Sequence, residues 1–228
     1  FDIDGTLLDS AGCGRAATRL ALDELYGSLG DFDTVSFAGK TDWGVLRESL
    51  KPAGFSVEDI DARMETYNAC VANHLAQIIG QYPMRVLPGA PELVERLQTM
   101  PEVLLGIVTG NVETLVPIKL SHMQYDRGVF KIGAYGDEAP ERAQLPPLAL
   151  ERAREYSGVD FAPENIIVIG DTPGDIQCAG SVGARTLAVA TGSFGVDELQ
   201  SHNPTVVFES LEDIDAALDM ILNNGHRA

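Results

Sequence analysis

Cysteine is scarce in this 228-residue chain: Cys13, Cys70 and Cys178 are odd in number and far apart. That argues against a disulfide framework and against any pair of cysteines at metal-ligand spacing. A reduced, cytoplasmic setting is the default expectation, with each thiol buried as a small apolar group. No uninterrupted apolar run approaches about 20 residues, so no transmembrane helix is expected. Positive charge is also short: 16 Lys and Arg stand against 34 Asp and Glu, a formal net charge of −18. Such a chain repels phosphate backbones and anionic lipid, so neither nucleic acid nor membrane is an expected partner. His74, His122, His202 and His226 fall outside every motif and read as surface or packing residues. There is no internal repeat and no low-complexity tract.

What the chain has is apolar content, 45% of its residues, enough for a substantial core. Mostly apolar runs at residues 103–109, 165–171, 185–191 and 205–208 read as strands buried on both faces, which belong to parallel sheets covered by helices. Helical spacing appears between them. Leu93, Leu97 and Met100 recur on one face after Pro91; Leu145, Leu148, Ala149 and Tyr156 share another; a short helix is expected over 175–182. Strand and helix in alternation predict an α/β fold with a doubly wound, mainly parallel, Rossmann-like sheet. The opening residues read as the end of a strand that begins upstream.

Residues 14–87 have a different texture: helix-like segments at 15–26, 41–50 and 57–79 and no convincing strand. Gly12 and Gly14 precede them, and Pro83 and the Pro88-Gly89 pair follow, as hinges do. The expected organisation is a core domain of residues 1–13 and 88–228 with an α-helical cap domain, 14–87, inserted in it.

The most informative stretch is the first ten residues, F-D-I-D-G-T-L-L-D-S. In an extended segment Asp2 and Asp4 share a face, and like charges so close need a cation or a shared proton. Ligands of doubly wound sheets bind at the carboxyl ends of strands. Those ends carry Asp2 and Asp4, then Thr109, Gly110 and Asn111, then Asp171 followed by Asp175. Carboxylate oxygens with no histidine or cysteine nearby suit Mg²⁺ rather than zinc. The bland alternatives are a solvated turn for Asp2 and Asp4, a helix cap for Asp171 and Asp175, and a strand-end residue for Thr109.

These motifs, in this order, resemble the haloacid dehalogenase superfamily of hydrolases, in the branch that includes phosphoglycolate phosphatase and carries a helical cap after the first motif. D-I-D-G-T-L-L-D-S resembles the first family motif, I-V-T-G-N the second and V-I-G-D-T-P-G-D the fourth. The resemblance implies a Mg²⁺-dependent hydrolase of small phosphorylated metabolites. Asp2 would be the nucleophile that becomes an aspartyl-phosphate, and Asp4 the acid and base. Thr109, Gly110 and Asn111 would hold the phosphoryl group, and Asp2, Asp4, Asp171 and Asp175 the metal. Family members that cleave carbon–halogen bonds lack the second acid, so Asp4 favours phosphoryl transfer.

One motif departs from the pattern. The family lysine is sought after the third strand, where this chain has none between Lys131 and the fourth motif; Arg142 stands there instead. Arg142 is expected to grip phosphate in its place; the alternatives are that Lys131 or Arg127 reaches in, or that the site is weakened. In the cap, Lys40 and Trp43 either face the substrate or are respectively solvated and packed. A sugar-phosphate phosphomutase and a binding or regulatory module without turnover remain the alternative functions. Oligomeric state is not legible.

Overall fold

The computed structural model describes residues 1–223, with the side chain of Arg127 excepted; His226 lies outside the described residues. In chain order the elements are β1 (Leu8–Asp9), α1 (Cys13–Tyr26), α2 (Asp42–Leu50), α3 (Val57–Asp61), α4 (Met64–Ile78), β2 (Arg85–Val86), α5 (Ala90–Gln98), β3 (Gly106–Val108), α6 (Leu115–His122), β4 (Ile132–Ala134), α7 (Leu145–Ser157), β5 (Ile167–Gly170), α8 (Pro173–Ala179), β6 (Arg185–Val189), α9 (Val196–Gln200), β7 (Val206–Phe208) and α10 (Ile214–Leu222).

β3 pairs with β4, β5 with β6, and β6 with β7, all in parallel. The opening segment joins the two groups. The Phe1 amino group donates to the Gly106 carbonyl at 2.8 Å, the Val108 amide to the Phe1 carbonyl at 2.9 Å, and the Asp2 amide to the Ile169 carbonyl at 2.9 Å. The order in space is therefore β4, β3, residues 1–3, β5, β6, β7. That is the doubly wound order, with its switch point between residues 1–3 and β5.

Alternation along the strands covers both faces. Ile107, Ile169, Leu187 and Val189 pack with Leu93, Leu97, Val116, Leu120 and Leu218 of α5, α6 and α10. Their neighbours turn the other way: Val108 and Ala134 meet α7, Val168 meets α8, and Ala188 meets α8 and α9. Each fully buried Leu or Ile contributes about 1.5–3 kcal/mol of transfer free energy, which offsets the backbone ordering of these short strands.

The helices α1–α4 build a second apolar cluster around Leu22, Leu46, Leu50, Tyr67 and Leu75. The chain leaves the sheet domain through β1 and returns through β2, which pair antiparallel, Leu8 opposite Val86. The helical cluster does not end at that hinge: Val112 and Leu115, which lead into α6, pack within it. The segment expected as one helix over 57–79 breaks between α3 and α4. β1, β2, β4, α6, α9 and α10 are elements that the periodicity did not signal.

Candidate active site

The polar residues at the strand ends converge on a cavity of about 510 Å³ between the sheet and the helical unit. Asp2, 5% exposed, leaves the opening segment at the switch point. The chain then turns tightly, with the Leu7 and Leu8 amides both donating to the Ile3 carbonyl. Gly5 makes that turn at φ +85°, and a Cβ there would lie 2.2 Å from Asp171 Oδ2. A Cβ on Gly192 would lie 1.8 Å from the same oxygen. Two glycines thus make room for the Asp171 carboxylate, which also accepts a 3.2 Å hydrogen bond from the Thr6 hydroxyl.

Asp2, Asp171 and Asp175 bring carboxylate oxygens within 4.8 Å of one another. Burial raises Asp2 to about 6, partly offset by the Arg142 guanidinium. Burial and then the neighbouring Asp2 charge raise Asp171 to about 8. Arg142 Nη2 lies 3.0 Å from Asp2 Oδ1, but that oxygen has no aligned hydrogen-bond donor. The same guanidinium pairs with Asp175. The other Asp175 oxygen accepts from the Thr172 amide at 3.0 Å and hydroxyl at 2.6 Å, and the Asp175 amide returns a bond to that hydroxyl. This is a capping box at the start of α8. Asp175 therefore combines the capping role with membership of the acid cluster.

Asp4 turns to the other side of the cavity. Its oxygens lie 2.9 and 2.7 Å from the ammonium of Lys119, and Oδ2 also accepts from Asn111 at 2.7 Å. Lys119 donates further to Asn111 Oδ1 at 2.6 Å. Burial alone would raise the Asp4 pKa, but Lys119, Ser10 and Asn111 together hold it below the usual carboxylate range. Burial would lower Lys119, but the Asp4 charge outweighs it and raises the ammonium's pKa. Asn111 also donates to the Thr109 hydroxyl at 2.8 Å, and Thr109 is fully buried. Gly110 approaches so closely that a Cβ would lie 1.9 Å from the Lys40 carbonyl oxygen and 3.3 Å from Arg142 Nη1.

Lys119 is the site residue that sequence reasoning missed. It stands on α6, after β3, whereas the position expected for the family cation is held by Arg142, 3.0 Å from Asp2. Its signal is a lysine on the apolar stripe of an unrecognised helix, buried with Leu115, Val116 and Leu120. The other candidates behave differently. Lys131 donates to the Gly128 carbonyl and does not line the cavity; the side chain of Arg127 is outside the described residues. Lys40 lines the cavity while paired with Glu48. The substrate-facing expectation for Trp43 is corrected: its indole N–H donates to Asp61 at 2.6 Å, Arg47 stacks on its ring, and it does not line the cavity. Asp42 of that loop also lines the cavity, 8% exposed, with Oδ2 accepting from the Val112 amide at 3.0 Å.

The acid cluster fits a divalent cation of the Mg²⁺ class. The donors are all oxygen, one buried Asp2 oxygen lacks a hydrogen bond, and two glycines leave room for the Asp171 carboxylate. Around it the cavity gathers Arg15, Lys40, Arg85, Lys119 and Arg142, five of the chain's 16 basic residues. An anion meets locally compensated charge in an acidic molecule.

The profile of the haloacid dehalogenase-like hydrolases matches residues 1–189. The chain is 25% identical to pyrophosphatase PpaX of Anoxybacillus flavithermus, covering 94% of this chain and 93% of that one. It is also 25% identical to phosphoglycolate phosphatase 1 of Pseudomonas aeruginosa, covering 97% and 81%. Among solved structures, a hydrolase from Pseudomonas syringae superposes with a TM-score of 0.70 at 25% identity, covering 97% of each chain. With its Rossmann-like sheet and matching motifs, the chain belongs to the haloacid dehalogenase-like hydrolase family of enzymes.

Proposed function

We propose that the protein is a Mg²⁺-dependent hydrolase of small phosphate monoesters that works through phospho-Asp2. The observation that carries this reading is Asp2 itself: a buried carboxylate at the switch point with one oxygen free of hydrogen bonds. It faces a cavity whose walls hold phosphate-type donors. The named relatives, a phosphoglycolate phosphatase and a pyrophosphatase, act on phosphorylated compounds and support the reading.

Asp2, Asp171 and, through water, Asp175 would hold the ion, which supplies neutralising charge between the nucleophile and the phosphoryl group. The Asp2 carboxylate attacks phosphorus, and the ester oxygen leaves with a proton. Asp4 is poised to handle that proton, but Lys119 keeps it ionised while the site is empty of phosphate. When phosphate draws the ammonium toward itself, the Asp4 pKa rises and the carboxyl becomes able to donate; afterwards it activates water against phospho-Asp2. Thr109, Gly110, Asn111 and Lys119 bind the phosphoryl oxygens. Arg142 acts chiefly by keeping Asp2 and Asp175 in place. The helices of residues 14–87 act as a cap that closes the cavity from water.

A site weakened to a binding module is the less favoured reading, because Arg142 stands beside Asp2 and a second cation, Lys119, stands beside Asp4. The test is a panel of phosphate monoesters assayed with Mg²⁺. Wild type is expected to release phosphate from at least one small ester, and Asp2→Asn from none while remaining folded. Turnover retained by Asp2→Asn would refute the nucleophile.

A further inference from the structure

On the helical unit, away from the catalytic cavity, Glu24 of α1 meets Cys70 and His74 of α4. The two α4 residues are four apart and share a face of the helix. The Cys70 thiol, a His74 ring nitrogen and a Glu24 carboxylate oxygen all lie within 4.8 Å of one another. His74 Nε2 and Glu24 Oε2 are already 2.8 Å apart. The His74 side chain is 20% exposed and that of Glu24 61%, so the cluster opens to solvent and has an entry path. Cys70 forms its floor, 7% exposed against the apolar cluster of the unit.

We propose that Glu24, Cys70 and His74 form a zinc-class site with three protein ligands, the remaining position taken by water. The donor set decides the class: thiolate and imidazole select Zn²⁺ over Mg²⁺, whereas the all-oxygen cluster at the catalytic cavity makes the opposite choice. Charge balances as well. One thiolate and one carboxylate neutralise a divalent ion, and imidazole adds none. Each ion bound displaces the Cys70 proton to solvent and uses the Nε2 lone pair of neutral His74. Only a small opening of the His74–Glu24 contact is needed to admit the ion. Its effect would be to clamp α1 to α4, since the ligands come from both helices.

The experiment is a Co²⁺ titration of the full chain in excess Mg²⁺, which occupies the oxygen cluster. One equivalent of Co²⁺ is expected to produce a thiolate-to-cobalt charge-transfer band that Zn²⁺ removes. Cys70→Ser should lack the band. His74→Ala, a partly exposed change that keeps the fold, should weaken Co²⁺ binding by at least roughly tenfold, the scale on which even outer-shell partners act. Zn²⁺ should also raise the melting temperature of wild type but not of His74→Ala. No band in wild type, or binding unchanged in His74→Ala, would overturn the proposal.

Discussion

Two buried cations line the cavity, and their neighbours tell them apart. Lys119 lies against Asp4 and Asn111, where the proposed reaction would hold phosphoryl oxygens. Lys119→Met is expected to lower turnover by roughly 100-fold or more, as loss of one preorganised donor does. A rate within a few-fold of wild type would remove it from the mechanism. Arg142 is 8% exposed and bridges Asp2 and Asp175. Its removal leaves buried acids without their partner, so Arg142→Ala should cost about 3 kcal/mol of stability in urea unfolding, and Arg142→Lys distinctly less. Equal midpoints for the two variants would contradict that. Asp2, Asp4, Thr109, Asn111 and Asp171 were legible because each stands in a short local motif at a strand end. Lys119 was not, because its place depends on a helix that the pattern did not reveal: Pro117 and the short span of α6 blur the period.

The strands and helices of the sheet domain were legible wherever one face or both are continuously apolar. β4 escaped because Ile132, Gly133 and Ala134 offer little side chain; its pairing with β3 comes from the backbone ladder. The N-terminus of α2 shows what spacing cannot. Thr41 caps it through the Gly44 amide and donates to the Pro140 carbonyl, while the Asp42 and Trp43 amides donate to the Gly110 and Gly136 carbonyls. The helical unit is thus pinned to the loops that follow β3 and β4 through their main-chain carbonyls. Asp42 is buried in that joint, and burial raises its pKa from 3.8 to about 6. A carboxyl raised in the folded state stabilises below the unfolded value and loses that contribution as pH climbs through the folded one. The span is worth about 3 kcal/mol. Asp42→Asn keeps an acceptor for the Val112 amide and removes the charge, so it should be more stable than wild type at pH 8 and show no advantage at pH 4. A difference independent of pH would contradict the assignment.

At the scale of the molecule the governing fact is charge. The chain carries a net −18, yet the cavity between the sheet and the helical unit collects cations beside a knot of acids. Three buried carboxylates with one guanidinium among them are under-compensated, so a divalent ion should stabilise the whole fold by mass action. Mg²⁺ is expected to raise the melting temperature of wild type and to leave Asp171→Asn almost unmoved; equal shifts in both would mean diffuse screening by the acidic surface. Among the described residues no helix is long and apolar enough to cross a membrane.

The central claim is covalent, and a covalent readout tests it most directly. The protein turning over a phosphate monoester with Mg²⁺ is quenched in acid, digested and mapped by mass. The account predicts one added phosphoryl group on the peptide that contains Asp2, absent from Asp2→Asn. Phosphoryl on another peptide, or none at all while product is being released, would contradict it.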